Sequence, residues 1–361
     1  MPHATRALTA WVTKGRATAL AAAVLLSLAA AGCGEPLPEP IDLVPADANF
    51  VANIELGRIL LDADVAGGFE SVPPGPDGPA SLDDALAEIE AETGIDLLQF
   101  SRIVAFGTVD PAATSNDQTG DQTGEQTGGQ MGFGSGGDFG LLARGTFDGD
   151  AILDNVRLGS EGQLREEEYR GHALLIGAEA DGSETVMTVL GDEVFVLGTR
   201  AAVTSVIDVL EDGGALSGPL LDTYVALGDP LVKAAFAVPP GAVDDLGGVP
   251  ADAIPIPFDP SLLTDVRTVG FAADKVDDVV TLEVQLEYVS AETAQEASEF
   301  LQALLTLAGP FVPPGAAADL IDLIDVSHAE ATVTISFSAT VDQLTAAAEE
   351  YGEPGPTPVP E

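Results

Sequence analysis

Apolar and polar residues follow alternating strand and helix periods through the first half of the chain. Phe50–Glu55 predicts a strand, and residues 81–93 predict a helix that Ser81 caps and Gly94 ends. A second helix is predicted from Thr199 to Leu210. Further strands are predicted at Arg102–Val109, Gly140–Phe147, His172–Gly177, Thr185–Leu190 and Glu193–Gly198, with a short helix after Asp148.

The second half of the chain repeats this order of elements. The strands Lys233–Val238, Val266–Ala272 and Val279–Tyr288 correspond to those beginning near Phe50, Arg102 and Gly140, and a helix at Ala291–Leu307 follows them. A last strand at Ala331–Phe337 precedes a helix whose capping box is Thr340 and Gln343. We therefore predict an α+β fold of two similar, duplicated units, each a mostly antiparallel sheet with helices on one face.

Two strands differ in the burial that their patterns predict. Val194–Leu197 is apolar without interruption, so we expect it to be buried on both sides. Thr332–Phe337 alternates between polar and apolar residues, so we expect one of its faces to remain solvated. That solvated face, rather than a pocket, is the binding surface that the sequence predicts.

The first 33 residues have the pattern of an export signal. Residues 1–16 carry three basic residues and no acidic residue, and the apolar run at residues 17–31 is shorter than the roughly 20 residues of a membrane span. The run ends in Ala30-Ala31-Gly32-Cys33, which resembles the lipobox of bacterial lipoproteins, although Ala30 stands where that family more often has Leu. The resemblance implies cleavage before Cys33 and a diacylglyceryl anchor on its thiol, at the outer side of a cell membrane. The alternative is a soluble secreted protein.

The composition of the two ends and of one internal stretch predicts how the chain is divided into segments. Residues 1–32 are the predicted signal peptide, 33–40 a proline-rich spacer, 41–212 and 216–350 the two α+β units, and 351–361 a disordered tail. Residues 114–138 are polar and glycine-rich, with a tandem Asp/Glu-Gln-Thr-Gly repeat at 117–128. Such a stretch buries too little apolar surface to offset its ordering entropy, so we predict a disordered insertion.

The charge of the chain limits its partners. It has 59 acidic and 13 basic residues, a net charge of −46, and three of the basic residues lie in the predicted signal. Such a field repels nucleic acid, which we exclude as a partner, and it attracts cations. The simpler explanation of the charge is solubility in a salty medium. Because Cys33 is the only cysteine, the chain forms no internal disulfide.

The residue types that carry most enzyme chemistry are scarce. Only His172 and His328 remain after the predicted cleavage, and no Gly-x-Ser-x-Gly elbow, His-x-x-x-His pair or Walker loop is present. Residues 132–137 match the letters of a dinucleotide-binding fingerprint, but they lie inside the insertion, with no strand leading into them. We predict no catalytic residues, no cofactor and no metal site.

Clusters of acidic residues leave two other kinds of site open. Asp148-Gly149-Asp150 is similar to part of a calcium loop but lacks the later ligands. Carboxylate pairs could also serve a glycosidase, yet the aromatic platforms of such clefts are scarce in this chain. A solvated surface accounts for these clusters in so acidic a protein. The other clusters are Asp244-Asp245, Asp277-Asp278 and Glu166-Glu167-Glu168.

Two short motifs are similar to those of an uncharacterised family of anchored bacterial surface proteins. They are Pro45-Ala46-Asp47 before the first strand and Thr93-Gly94-Ile95-Asp96 after the first helix. The resemblance covers most of residues 41–350 and implies an architecture but no activity.

The function that the sequence favours is a non-enzymatic, lipid-anchored surface protein with a binding or envelope role. Its partner, a protein or a small molecule, is not specified by any motif. The first alternative is the substrate-binding lipoprotein of a transporter, although that class usually has two lobes of βαβ units. The second is a carboxylate-dependent hydrolase.

Overall fold

Twelve strands form one continuous antiparallel sheet. The computed structural model describes residues 37–64, 67, 81–93, 95–108, 137–159, 164–178, 183–239, 265–309 and 315–352. The strands are β1 Phe50–Ile54, β2 Phe100–Gly107, β3 Phe139–Gly145, β4 Arg165–Tyr169, β5 His172–Ala178, β6 Glu184–Leu190, β7 Val194–Gly198, β8 Val232–Ala237, β9 Val266–Val276, β10 Val279–Tyr288, β11 Ile324–Ala329 and β12 Thr332–Thr340.

Eight α-helices accompany the sheet in the described part of the chain. They are α1 Leu56–Leu60, α2 Leu82–Thr93, α3 Gly149–Gly159, α4 Arg200–Asp212, α5 Pro219–Ala226, α6 Ala291–Ala308, α7 Ala316–Ile321 and α8 Val341–Gly352. Single 3₁₀ turns lie at Pro40–Leu43 and Leu97–Gln99. The predicted α+β class and the antiparallel sheet are confirmed.

The first five strands on each side of the centre of the sheet follow the same order, and β5 and β4 extend one side only. The full order is β11-β12-β10-β9-β8-β1-β2-β3-β7-β6-β5-β4. From the central pair outward, β1, β2, β3, β7 and β6 in one half correspond to β8, β9, β10, β12 and β11 in the other. The two similar units therefore share one sheet, joined through the β1–β8 pair. Descent of both halves from one duplicated unit stays a prediction.

Helices lie on both faces of the sheet rather than on one. We call these the α4 face and the α6 face. On the α4 face, Tyr169 of β4 donates a hydrogen bond to Asp208 of α4 at 3.0 Å, and Thr223 of α5 bonds Thr268 of β9 at 2.6 Å. On the α6 face, α6 packs against β10, β11 and β12, and α3 packs against the side chains of β3, β6 and β7 that point the same way. Both faces carry apolar residues, so each recruits helices.

The strand β7 is buried on both sides, as its uninterrupted apolar sequence predicts. Val194 and Val196 are 0% exposed, and Phe195, which points the opposite way, is 8% exposed in the cluster beneath α3. The helix α4 is also fully buried along one face, at Val203, Val206 and Ile207. The strand β7 is therefore covered by α4 on one face and by α3 on the other.

Local sequence signals set the starts of the helices. The Thr199 hydroxyl accepts a hydrogen bond from the backbone N–H of Ala202, and Ser290 does the same for Thr293. Thr340 and Gln343 form the predicted reciprocal capping box, with bonds of 2.9 and 3.2 Å. Each cap satisfies backbone donors that the first helical turn leaves unpaired.

Five of the strands and α-helices were not predicted from the sequence. They are the edge strands β4 and β11 and the short helices α1, α5 and α7. The strand β4 has the sequence Arg-Glu-Glu-Glu-Tyr, which carries no apolar alternation, and it exists because it pairs along its length with β5. The helix α8 continues through Gly352, so the tail begins later than the predicted residue 351.

Several predicted segments lie outside the described residues. These are the signal peptide, residues 33–36 of the spacer with Cys33, residues 114–136 of the insertion, and residues 353–361 of the tail. Contacts within the chain group Pro40–Glu361 into one compact unit, and of the other unit, Met1–Glu39, only residues 37–39 are described.

Candidate functional site: an apolar strip on the sheet

Three rows of apolar side chains cross the α6 face of the sheet. The register aligns three residues from each of seven neighbouring strands in these rows, and every one of them is uncharged and apolar. They are Phe50, Ala52, Ile54, Ile103, Ala105, Gly107, Phe139, Leu141, Ala143, Val232, Ala234, Phe236, Val269, Phe271, Ala273, Leu282, Val284, Leu286, Val333, Ile335 and Phe337. A face of this composition is normally buried in a protein core.

The middle of this face is exposed instead of buried. Ile54 is 38% exposed, Phe236 43%, Phe271 36% and Leu282 37%. These four residues come from the neighbouring strands β1, β8, β9 and β10, which span about 14 Å at normal strand spacing. We call them the apolar strip. Exposed apolar side chains that form a contiguous patch usually mark a binding surface.

The edge of the strip rests on a stack of aromatic rings. The rings of Phe139, Phe50 and Phe236 follow one another across the sheet, with centroid separations of 6.3 and 6.2 Å. Gly107 makes room for the middle ring, because a Cβ atom there would lie 2.9 Å from Phe50 and 2.2 Å from a backbone oxygen. Phe50 is 6% exposed and Phe236 is 43% exposed, so the stack runs from the core to the surface of the strip.

One helix packs on the strands to each side of the strip, on the same face of the sheet. On the side of β10 to β12, α6 buries Val333 and packs on Leu286 and Ile335. On the side of β3, β6 and β7, α3 packs on Phe195 and Ala143. Since a helix is about 10 Å thick, the strip is a recessed surface between two ridges.

Lys275 of β9 lies on the α6 face just beyond the three rows, where it pairs with Asp62 and Asp64 at 2.8 Å. Most of the other charged residues of the central strands lie on the opposite, α4 face. Lys233 of β8 is 6% exposed, and its Nζ lies 4.0 Å from the ring centroid of Tyr224 and donates a hydrogen bond to the carbonyl oxygen of Gly228. Burial lowers the pKa of Lys233, and the nearby Asp229 opposes this shift. Asn53 lies directly opposite Lys233 across the β1–β8 pair.

Asn53 belongs to the same buried polar group. Its side-chain amide donates a hydrogen bond to Glu55 at 3.0 Å, and Glu55 also accepts one from Arg102 at 2.6 Å. The carbonyl oxygen of the Asn53 side chain has no hydrogen-bond partner among the described residues, although the residue is 2% exposed. Asn53 and Lys233 thus place polar side chains at the β1–β8 pair that joins the two halves, and Arg102 and Glu55 form an ion pair beside them.

A cleft of about 280 Å³ opens beside this group, also on the α4 face. It is lined by Asp229, Asp274, Glu283 and Thr281, with Leu227, Pro230 and Ala272. Asp274 is paired with Arg58 at 3.2 Å. The cleft is acidic and open, so it suits a cationic solute better than an anionic one.

The two candidate histidines lie far apart. His172 is on β5, near one edge of the sheet, and His328 is on β11, at the other edge. The Nε2 atom of His172 is 3.3 Å from Glu211 of α4, and His328 is exposed. The two rings therefore cannot serve one catalytic site.

The acidic clusters have structural roles where the structure describes them. The side chain of Asp148 accepts a hydrogen bond from the backbone N–H of Ala151 at the start of α3. Asp277 and Asp278 form the two-residue turn between β9 and β10, where Asp277 has a φ of 54°. Asp244 and Asp245 lie outside the described residues, as do residues 132–136 of the glycine fingerprint.

Arginine side chains form ion pairs with two residues of the cluster Glu166-Glu167-Glu168. Glu166 pairs with Arg157 at 2.8 Å, and Glu167 pairs with Arg200 at 2.7 Å. Arg200 also pairs with Glu184, and its hydrogen bonds lower the pKa of Glu167 and of Glu184. These pairs join the edge strand β4 to α3, β6 and α4. Within the described ranges, no group of three His, Cys, Asp or Glu side chains could hold a metal ion.

The Pro45-Ala46-Asp47 motif has a structural role, because it pairs with the segment at Gly214 and Ala215. Pro45 forms an isolated bridge with Ala215, and the backbone N–H of Ala46 donates to the carbonyl oxygen of Gly214. The motif thus ties the segment before β1 to the segment that connects the two halves. Over the stretches that the structure covers, no helix has the length and apolar character needed to cross a bilayer.

The predicted binding surface and the apolar strip are different surfaces. The polar residues of Thr332–Phe337 point to the α4 face, and they are half-buried. The strip was missed because each of its strands contributes only one or two exposed residues. The signal in the sequence was the period-two alternation in β9 and β10, for example Val269, Phe271 and Ala273.

Comparison with known proteins gives only distant similarity. No protein-family model matches the chain, and no curated protein sequence is significantly similar to it. Among solved structures, three crystal forms of TP0453 (forms I, III and IV) align with TM-scores of 0.41, 0.42 and 0.44 at 7%, 8% and 8% identity. The alignments cover 88%, 86% and 86% of this chain and 98%, 98% and 96% of TP0453. Similarity at this level does not assign a shared activity.

Proposed function

We propose that this protein is a lipid-anchored, extracytoplasmic envelope protein that is not an enzyme and binds a partner through the apolar strip. The observation that carries the proposal is the exposure of Ile54, Phe236, Phe271 and Leu282 within three rows of the sheet face that contain no charged residue. An acidic protein that needed only solubility would bury or replace these side chains, because their exposure to water is unfavourable.

Anchoring supports a role at a membrane. Cys33 is the only cysteine and follows the predicted signal directly. Seven residues lead from Cys33 to Pro40, where the compact unit begins, and at most about 25 Å of extended chain can separate these two residues. A lipid on Cys33 would therefore hold the compact unit close to the membrane surface.

The distribution of titratable groups supports a role without catalysis. His172 and His328 are near opposite edges of the sheet, and the described arginines of the β4 region are engaged with carboxylates. The strip itself has no group that could donate or accept a proton. A catalytic base or nucleophile would have to be positioned beside bound substrate.

The second candidate, a substrate-binding lipoprotein, is favoured by the acidic cleft at Asp229, Asp274 and Glu283. A cationic solute that raised the melting temperature of the wild type, but not of a Glu283→Gln variant, would support it. Over the described residues the strands form one antiparallel sheet, which weighs against this candidate, since that class usually has two lobes of βαβ units.

The proposed function is tested with a dye that reports the polarity around it. The processed chain, residues 33–361, is prepared with Cys33→Ser, so that Phe271→Cys supplies the only thiol for the dye. Leu61→Cys, at a position that is 83% exposed outside the strip, is the matched control. Addition of a solubilised envelope extract should shift the emission of the dye at position 271 to the blue and leave the control unchanged. Equal responses at both positions would refute binding through the strip.

A further inference from the structure

We propose that the apolar strip binds the acyl chain of an uncharged membrane lipid. This inference rests on the proposed function, which requires only that some partner occupies the strip. Three features of the described residues select the occupant: the charge of the surface, its shape, and the length of chain that leads to the anchor.

The charge of the strip selects an uncharged occupant. The three apolar rows contain no charged side chain, whereas the whole protein carries a net charge of −46. A second copy of this chain would bring the same negative charge, and anionic headgroups would be repelled in the same way. A hydrocarbon chain gains the transfer energy of its buried apolar area and meets no repulsion.

The shape of the strip selects a single chain rather than a flat surface. The helices α6 and α3 stand on the same face on either side of it, each about 10 Å thick. A flat bilayer resting on these ridges would not reach Phe271 or Ile54. A single acyl chain can lie between them, across β1, β8, β9 and β10, over about 14 Å of apolar surface.

The segment from Cys33 to Pro40 would keep the protein beside a membrane, which is a source of lipid. After the predicted cleavage, the chain on this side of the compact unit is short and begins at Cys33, the predicted lipid attachment site. With at most about 25 Å of extended chain between Cys33 and Pro40, a lipid on Cys33 would keep the compact unit that carries the strip near a membrane at high effective concentration. Transfer of a lipid from that membrane is therefore the nearest route to occupancy.

The test measures transfer of a fluorescent diacylglycerol from phosphatidylcholine vesicles to the processed chain, residues 33–361 with Cys33→Ser. Saturable binding to the wild type is expected. A Phe271→Ser/Leu282→Gln variant should bind at least about tenfold more weakly, because it loses apolar contact area at two positions that are more than a third exposed. Neither side chain belongs to the buried core, and thermal unfolding of the variant checks that it folds.

Two further variants separate a shaped site from general adhesiveness. Ala234→Phe adds apolar area but fills the strip beside Phe271, so it should also weaken binding. Leu61→Gln and Val225→Thr remove apolar side chains that are 83% and 62% exposed elsewhere, and they should bind like the wild type. Stronger binding by Ala234→Phe, or equal losses in the two controls, would overturn the proposal.

The remaining outcomes distinguish this inference from the proposed function. A blue shift of the dye at position 271 with envelope extract, without binding of the labelled diacylglycerol, would refute the lipid and keep the binding face. Concentration-dependent dimers that Phe271→Ser/Leu282→Gln abolishes would identify a second copy as the occupant and overturn the inference. Co-sedimentation of every variant with vesicles to the same extent would show surface adsorption and also overturn it.

Discussion

Phe50 and Phe236 lie directly opposite each other across the β1–β8 strand pair, and their rings stack with centroids 6.2 Å apart. This contact joins the first strand of each half, and it also forms the edge of the apolar strip. One ring is in the core at 6% exposure, while the other is 43% exposed. The same pair therefore links the stability of the sheet to the surface that we propose to bind a ligand.

The two rings should contribute unequally to stability. Phe50→Ala should lower the free energy of unfolding by about 3–5 kcal/mol, because it leaves a cavity in the sheet core. Phe236→Ala should cost less than half as much, since a large part of its ring already contacts water. Urea unfolding of both variants measures the difference. Equal losses would show that Phe236 is packed in solution.

The arginine pairs at β4 should make stability depend on pH in the acid range. Arg200 lowers the pKa of Glu167 and Glu184 below their ordinary value of 4.5. The stabilisation is then present at neutral pH and is lost as the pH falls through the lowered pKa values. Arg200→Gln should cause a small decrease in melting temperature at pH 7, because the groups are exposed, and the difference from the wild type should vanish near pH 3. A difference that persists at pH 3 would contradict this assignment.

Lys233 should destabilise the folded protein at neutral pH. Its pKa is lowered from the ordinary value of 10.5, mainly by burial, so the unfolded chain holds the proton more strongly. Stability of the wild type should therefore rise with pH as the medium approaches pH 10.5. Lys233→Met, of similar size and uncharged, should be at least as stable at pH 7 and should lack this rise. Thermal unfolding of both proteins at pH 7 and pH 10 provides the measurement, and parallel pH profiles would refute the prediction.

Anchoring depends on one thiol. Cys33→Ser in the full chain should release the protein from the membrane fraction or leave it as an uncleaved precursor, because no other cysteine can accept the lipid. Fractionation and gel migration report both outcomes. A conservative change elsewhere, such as Val225→Thr, is the control. A Cys33→Ser protein that fractionates and migrates like the wild type would remove the basis for the membrane location.

The insertion at residues 114–138 should be dispensable for stability. The composition predicts that limited proteolysis cuts here first and that removal of residues 114–136 leaves the melting temperature nearly unchanged. Residues 137 and 138 stay in the deleted protein, because the backbone N–H of Thr108 bonds the carbonyl oxygen of Asp138 at 2.9 Å. A fall of many degrees would show that the insertion packs on the rest of the protein.

The sequence by itself determined the elements whose stability is local. Period-two alternation located β1, β10 and most of the other strands, and the hydroxyls of Thr199 and Thr340 set helix starts, because these signals act over a few residues. The repeated order of elements predicted that the two halves would have corresponding strands, and the first five strands on each side of the centre follow one order.

Only the tertiary structure decided what depends on partners distant in sequence. The residues of β4 give no strand signal, because the strand is stabilised by pairing with β5 and by arginines from other elements. The presence of helices on both faces follows from which side of the sheet each connection crosses. The exposure of Phe236 and Phe271 is likewise invisible in an alternating sequence, since alternation shows that two faces differ but not which of them another element covers.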